Sequence, residues 1–290
     1  MIIEALKAFF FGLVEGITEW LPVSSTGHLV LFNNFITLDV SAEFMEMFTV
    51  VIQLGAIMAV VILFFAKLNP WSRHKYPEAK KATWHLWGKV VVGCIPAAIV
   101  GFLLEDWVDA HFYNAVTIAI ALIVYGALFI IIERVRAKRE ERGTAKPYKV
   151  ESVYELDYAT AFKIGCFQCL AIIPGTSRSG STIIGGLLCG CSRVAVSEFS
   201  FFLAIPVMFG WSLLKVVKFF LETGFAFTQT ELLVGAIGLV TAFVVSVISI
   251  RFLMSFIQKH SFSGFGWYRI ALAIVVLVAV FGFGLQAAAA

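Results

Sequence analysis

Two carboxylates one helical turn apart inside an apolar run are the first residues of this sequence able to do chemistry. Glu15 and Glu19 stand at i and i+4 in Glu15-Gly-Ile-Thr-Glu19-Trp-Leu-Pro22-Val-Ser24-Ser25-Thr26-Gly27-His28, so a helix places both on one face. Like charges that close are costly in a bilayer, and a divalent cation or a shared proton is the natural resolution. Carboxylates in water at a helix end, or paired with Arg178, are the plainer alternatives. Pro22 ends that helix, and Ser24, Ser25, Thr26 and Gly27 open the next, whose free backbone N–H groups and positive dipole end make an anion site. His28 lies one turn further in, close enough to the Ser24 and Ser25 hydroxyls to act as a base. Taken alone, the hydroxyls are helix caps.

A second stretch has the same grammar. Pro174-Gly175-Thr176-Ser177-Arg178-Ser179-Gly180-Ser181-Thr182 is again a Pro-Gly break followed by hydroxyls and glycines opening a short helix. Its distinctive residue is Arg178. A guanidinium at membrane depth costs several kcal/mol unless an anion meets it, and its planar fork suits a phosphate. A purely structural Arg178–Glu pair is the alternative. Two helix N-termini, an arginine and an acidic pair converging favour a phosphate plus a metal.

The elements that hold these residues are apolar. Of 290 residues, 60% are hydrophobic and only 14% charged, against roughly 45–50% and 25% in soluble domains. That composition excludes an ordinary cytosolic enzyme, a disordered chain and a nucleic-acid binder, and the net charge of +3 implies no polyanionic partner. A mean hydropathy of +0.91 marks a polytopic membrane protein. No cleavable signal peptide is expected, because Glu15 and Glu19 interrupt the apolar stretch after Lys7 and no A-x-A site follows. The closing Ala287–Ala290 run reads as an appended tail. Cys94, Cys166, Cys169, Cys189 and Cys191 read as small packing residues rather than a metal or disulfide site. Gln53 and the aromatic residues read as packing and lipid contact.

Charge-poor stretches run from Met47 to Phe65, Val90 to Leu104, Phe112 to Ile132, Phe199 to Leu214, Leu232 to Ile250 and Ile270 to Leu285. Each reaches, with its flanks, the roughly 20 residues a spanning helix needs. Between them, segments 67–89, 134–149 and 251–269 are basic, and the connections with Glu105, Asp106 and Asp109 and with Glu222 and Glu231 are acidic. The basic connections belong on the cytoplasmic side, where their Lys and Arg form solvated faces. Six alternating spans satisfy that rule without exception.

Residues 1–36 and 158–192 do not fit the spanning rule. Each is broken by Pro, Gly, Ser and Thr, and Ala159–Ile173 and Thr182–Cys191 are too short to cross. Lys149 and Arg193 bracket the second on the same side, so both segments are expected to be re-entrant hairpins entering from opposite faces. They also match at an offset of 153: Gly12-Leu-Val-Glu15 with Gly165-Cys-Phe-Gln168, Ser24 with Ser177, Gly27 with Gly180. The expected fold is an all-α integral membrane protein with six transmembrane helices plus two re-entrant helical hairpins in an inverted-topology repeat. It forms a single membrane domain over 1–290, with repeat halves near 1–110 and 155–286 and a basic cytoplasmic loop at 134–157.

Gly12 to Leu29, with its E-G-x-T-E-W-L-P-V-S-S-T-G-H core, and the P-G-T-S-R-S-G-S-T run at 174–182 resemble the signatures of the undecaprenyl-pyrophosphate phosphatases, the bacitracin-resistance protein family. The likeness extends through Phe44–Val61, Gly165–Leu170 and Ser197–Pro206, with no departure at a motif position. It implies an enzyme of the bacterial cytoplasmic (inner) membrane. The implied reaction is hydrolysis of undecaprenyl pyrophosphate to undecaprenyl phosphate and inorganic phosphate, which recycles the lipid carrier for peptidoglycan and confers bacitracin resistance. The implied acidic pair is Glu15 and Glu19 with a divalent metal, Mg2+ or Ca2+. The implied histidine is His28, the nucleophile candidate Ser25, and the phosphate-binding set Arg178, Ser177 and Thr182. With the helix-opening reading, Ser24, Thr26, Gly27 and Ser179 complete the expected substrate site. The expected partners are a polyprenyl pyrophosphate lipid and the bilayer, with no nucleic acid; a homodimer is the candidate assembly. Three mechanisms stay open: attack by Ser25 activated by His28 or Glu19, attack by His28, and attack by metal-bound water. A rival class is an inverted-repeat lipid-phosphate transporter or flippase that holds pyrophosphate without cleaving it.

Overall fold

The computed structural model describes residues 1–33, 35–223 and 227–284, so Leu285 and the Ala287–Ala290 tail lie outside the described residues. In chain order the helices are α1 (Ile2–Thr18), α2 (Ser25–Asn33), α3 (Ala42–Leu63), the single turn α4 (Phe65–Leu68), α5 (Pro77–Phe112) and α6 (Ala115–Glu141). Then follow α7 (Tyr158–Gln168), α8 (Arg178–Leu188), α9 (Arg193–Thr223), α10 (Gln229–Lys259) and α11 (Ser263–Leu277). Among the described residues there is no strand beyond an isolated bridge from Val150 to Cys191. Six helices among the described residues are long and apolar enough to cross a membrane: α3, α5, α6, α9, α10, and α11 with the π-helical turn to Gly282. Large apolar residues such as Phe102, Leu213 and Ile248 point outward from them, exposed. A stripe of that kind is stable only against hydrocarbon. The chain is a multi-pass membrane protein.

Short polar residues start several of the described helices. Ser41 accepts from the Phe44 N–H, Asn114 from Thr117 and Asp157 from Thr160, while Thr228 and Glu231 form a reciprocal capping box. The helices also extend past their apolar runs. α6 continues through Glu141, so residues 134–141 of the expected basic loop are helix, and Glu105, Asp106 and Asp109 ride on the last turns of α5. Lys, Arg and Glu are good helix formers, and nothing in those stretches breaks the hydrogen-bond ladder. Nor are the basic residues all solvated. Arg193 pairs with buried Glu133 at 2.6 Å, whose carboxylate also accepts the Phe262 N–H at 3.1 Å. Lys89 donates to the Tyr154 carbonyl at 2.8 Å.

The packing interleaves early and late sequence. α1 lies along α10, and α7 lies along α5; α3 packs on α9 and α10, and α6 on α11. Small residues permit the close approach. A Cβ at Gly12 of α1 would stand 2.6 Å from the Gly238 carbonyl of α10, and one at Gly165 of α7 would run into the Gly93 carbonyl of α5. Each broken helix is therefore seated on a long helix distant in sequence.

Candidate active site

Both helix breaks turn on a serine with positive φ. Ser24 has φ of 75° and Ser177 has φ of 71°, the two non-glycine residues among those described in that region. Such a backbone costs on the order of 1–3 kcal/mol and persists only where its surroundings over-determine it. In each case the hydroxyl turns back as a cap: the Gly27 N–H donates to Ser24 Oγ at 3.3 Å, and the Gly180 N–H to Ser177 Oγ at 3.2 Å. The second break is the longer, with a 3-10 turn over Cys169–Ile172 and Gly175 at φ of 88°.

Between the breaks lies a cleft of about 210 Å³. Glu19, Ser25 and Thr26 line it from the first break, Gly175, Ser177 and Arg178 from the second, Gln53 from α3, and Met208 and Trp211 from α9. One carboxylate ties the breaks together. Glu19 Oε1 accepts from Arg178 Nη2 at 2.8 Å, Glu19 Oε2 from the Ser25 hydroxyl at 3.3 Å, and the Glu19 carbonyl from the Ser179 hydroxyl at 3.2 Å. Arg178 also donates from Nη1 to the Ser200 carbonyl at 2.8 Å, and its Nε is buried without a partner.

Glu15 is fully buried, and neither carboxylate oxygen has a hydrogen-bond partner among the described residues. It lies within electrostatic reach of Glu19 and Arg178. Buried polar atoms are rarely left so. No group of three or more His, Cys, Asp or Glu side chains gathers anywhere in the described residues. A hard cation needs no such cage. Magnesium is commonly held by one or two carboxylates with substrate phosphate and water completing its shell. Two orphaned oxygens on Glu15, one turn from Glu19, fit that donor set.

Five expected site residues point elsewhere, among them Ser24 and Ser179, which are buried and spend their hydroxyls on the Gly27 N–H and the Glu19 carbonyl. His28 does not reach the Ser24 and Ser25 hydroxyls: its Nδ1 lies 2.7 Å from the Ser24 carbonyl and its Nε2 2.7 Å from the Tyr268 hydroxyl. The reason is the positive φ of Ser24, which commits that hydroxyl to the cap and leaves the carbonyl facing the ring four residues on. Thr182 is buried and spends its hydroxyl on Ser200 Oγ at 2.7 Å and on the Arg178 and Ser179 carbonyls. It braces the arginine rather than facing the cleft. Gly27 backs onto Leu122 and Leu272.

The profile of Bacitracin resistance protein BacA matches residues 8–275. The chain belongs to this family. Among similar family members, one from Enterococcus faecalis named undecaprenyl-diphosphatase is 54% identical over 271 residues, covering 93% of this chain and 95% of the relative. An undecaprenyl-diphosphatase of Desulfitobacterium hafniense is 53% identical, with 96% of each chain covered. Another, from Acetivibrio thermocellus, is 53% identical over 96% of this chain and 98% of its own.

Sequence reading missed Gln53, which looked like packing and forms a cleft wall, and Trp211 beside it. It also missed Tyr268 and Arg269, which looked like the edge of a solvated basic connection. Arg269 is completely buried. A polar residue on an apolar span was the available signal for Gln53. For Tyr268 and Arg269 the signal was weaker, a Tyr-Arg pair at the start of a span.

Proposed function

We propose that this member of the family is an undecaprenyl-diphosphatase, hydrolysing undecaprenyl pyrophosphate to undecaprenyl phosphate and inorganic phosphate and so recycling the carrier lipid for wall synthesis. The observation that carries the reading is Glu19, which joins a nucleophile-grade hydroxyl on one helix N-terminus to a guanidinium on the other, inside a cleft of phosphate size. Phosphoryl transfer is mainly positioning and charge stabilisation. The terminal phosphoryl lies between the helix N-termini, and Arg178 swings part of its fork from Glu19 to the phosphoryl oxygens. Ser25 Oγ attacks phosphorus while Glu19 takes its proton. The bond from phosphorus to the bridging oxygen breaks, undecaprenyl phosphate leaves, and water then cleaves the phosphoserine to release phosphate. Glu15, with Glu19 one turn away, would hold Mg2+ or Ca2+, which would supply charge neutralisation when bound. Ser25 is favoured over His28 as nucleophile because the histidine ring is engaged at both nitrogens, by Ser24 and Tyr268.

The protein sits in the bacterial cytoplasmic membrane with both broken helices re-entrant from opposite faces. Purified protein in detergent should release inorganic phosphate from undecaprenyl pyrophosphate. Binding without release would make it a carrier. Cysteine labelling should find residues at Thr37–Asp39 and Asp109 on one side and at Lys80 and Arg142 on the other. Asp109 and Arg142 labelling from one side would end the opposed-hairpin arrangement.

A further inference from the structure

Arg269 touches both helix breaks at once. Its Nη1 donates to the Pro22 carbonyl at 3.1 Å, and its Nη2 donates to the carbonyls of Gly175 at 2.8 Å and Thr176 at 2.7 Å. Pro22 closes the first break, and Gly175 and Thr176 lie in the second. The guanidinium also packs against Gly180, in the first turn of α8, and over the ring of Tyr125, whose centroid is 5.5 Å away. Among the described residues no carboxylate pairs with it, and its Nε is buried without a partner. A buried charge without a counter-ion is costly, and a fold that only needed to join two loops could do so with neutral donors. What this arrangement supplies instead is a rigid fork and a positive charge directly behind the cleft wall.

We propose that Arg269 is a positioning residue for the phosphoryl reaction, a clasp that holds the two helix N-termini at the separation the phosphoryl group requires. Arg269 does not line the cleft. It acts through the backbone that carries Ser25 on one side and Ser177 and Arg178 on the other. The two breaks have no covalent connection shorter than the chain between them. Their relative placement therefore depends on Glu19 in front and Arg269 behind. Glu19 must loosen its hold on Arg178 when an anion enters, so the links that persist through the reaction are the single bond from the Ser179 hydroxyl to the Glu19 carbonyl and the three-bond fork of Arg269. Preorganisation of this kind is catalytically expensive to lose, since a misplacement near 1 Å can cost roughly 100-fold in rate.

The inference rests on the hydrolase reading, and one set of assays separates the two. An Arg269→Lys variant keeps the charge but cannot fork across both breaks. It should extract as folded protein with a lowered melting temperature, since buried carbonyls lose partners. At a temperature well below unfolding, kcat should fall about 100-fold while KM stays within about threefold, the split expected for lost transition-state geometry. Guanidinium added to Arg269→Ala should restore part of kcat, and methylammonium should not. If Arg269→Lys does not fold, Gly180→Ala decides the matter. A Cβ there would stand 2.9 Å from Arg269 Nη1 and push the guanidinium aside, while alanine favours the helix. Its kcat should drop about tenfold at a temperature where the protein stays folded, because the helix gain from alanine offsets only part of the disturbed fork. An Arg269→Lys kcat within threefold of wild type, or an unaffected Gly180→Ala where that variant is the test, overturns the clasp and leaves the hydrolase standing. Wild-type protein that releases no phosphate overturns the hydrolase reading itself.

Discussion

The two broken helices use one backbone device and divide the chemistry between them. Ser24 and Ser177 share the positive φ and the same cap onto a glycine three residues on, and Gly12 and Gly165 seat their helices in the same way. Yet the residue after the strained serine is Ser25 in one break and Arg178 in the other. Three residues after the seating glycine stands Glu15 in α1 and Gln168 in α7. Both are buried and neither has a hydrogen-bond partner among the described residues, but only Glu15 is a carboxyl group. On the proposed reading the repeated backbone makes an anion-binding helix end, and the side chains differ because a phosphoryl transfer needs a base and nucleophile on one side and a cation on the other.

That division orders the expected mutational effects. Glu19 is the residue shared by both breaks, so Glu19→Gln should cost the most, about 1000-fold in kcat, within the span usual for a lost general base. Glu15→Gln should lose about 100-fold, and both variants should need more metal for half-maximal activity, as weakened oxygen ligation implies. If activity against metal concentration shows wild-type midpoints for both, the acidic pair is an acid–base device and not a ligand set. On the other break, Arg178→Lys should also lose about 100-fold, since an ammonium keeps charge but not the fork. Near-normal turnover by a folded Arg178→Lys would remove the phosphate clamp from the second break and erase the division.

The shared backbone predicts matched, smaller effects. Ser24→Ala and Ser177→Ala each lose a cap while keeping a side chain at positive φ, so each should destabilise by about 1–2 kcal/mol, and the glycine variants by less. Thermal unfolding in detergent checks this, and strongly unequal losses would mean the breaks are alike in shape but not in energetics. The smallest effect concerns how the helices begin, because α1 has no side-chain cap and α7 has Asp157. The Thr160 backbone N–H, with help from its hydroxyl, holds the Asp157 carboxyl below its ordinary range. A lowered value means the cap is at full strength at neutral pH and fades as pH falls below about 4. Asp157→Ala should cost about 1 kcal/mol at pH 7 and progressively less as pH falls below about 4, read from amide exchange in the first turn of α7.

Much of this protein was legible in its sequence. Six spans follow from apolar runs of bilayer length, and the breaks from Pro22, Pro174 and Gly175, because these are local effects of solvation and backbone sterics. Glu15, Glu19 and Arg178 stood out since ionisable groups in apolar surroundings are costly and so conspicuous, and the structure brings Glu19, Ser25 and Arg178 to one cleft. Direction and partnership were not legible. Whether His28 faces Ser25 or Tyr268 depends on a backbone rotation at Ser24, and whether Thr182 faces the cleft or braces Arg178 depends on where Ser200 lies. Arg269 shows the limit most plainly. In sequence it closes a basic connection, where the positive-inside pattern explains it fully. Only the packing of α11 against α6 carries it between two breaks that lie 247 and 93 residues away. Local composition sets what a residue costs to bury, but which groups meet it there is decided by the tertiary fold.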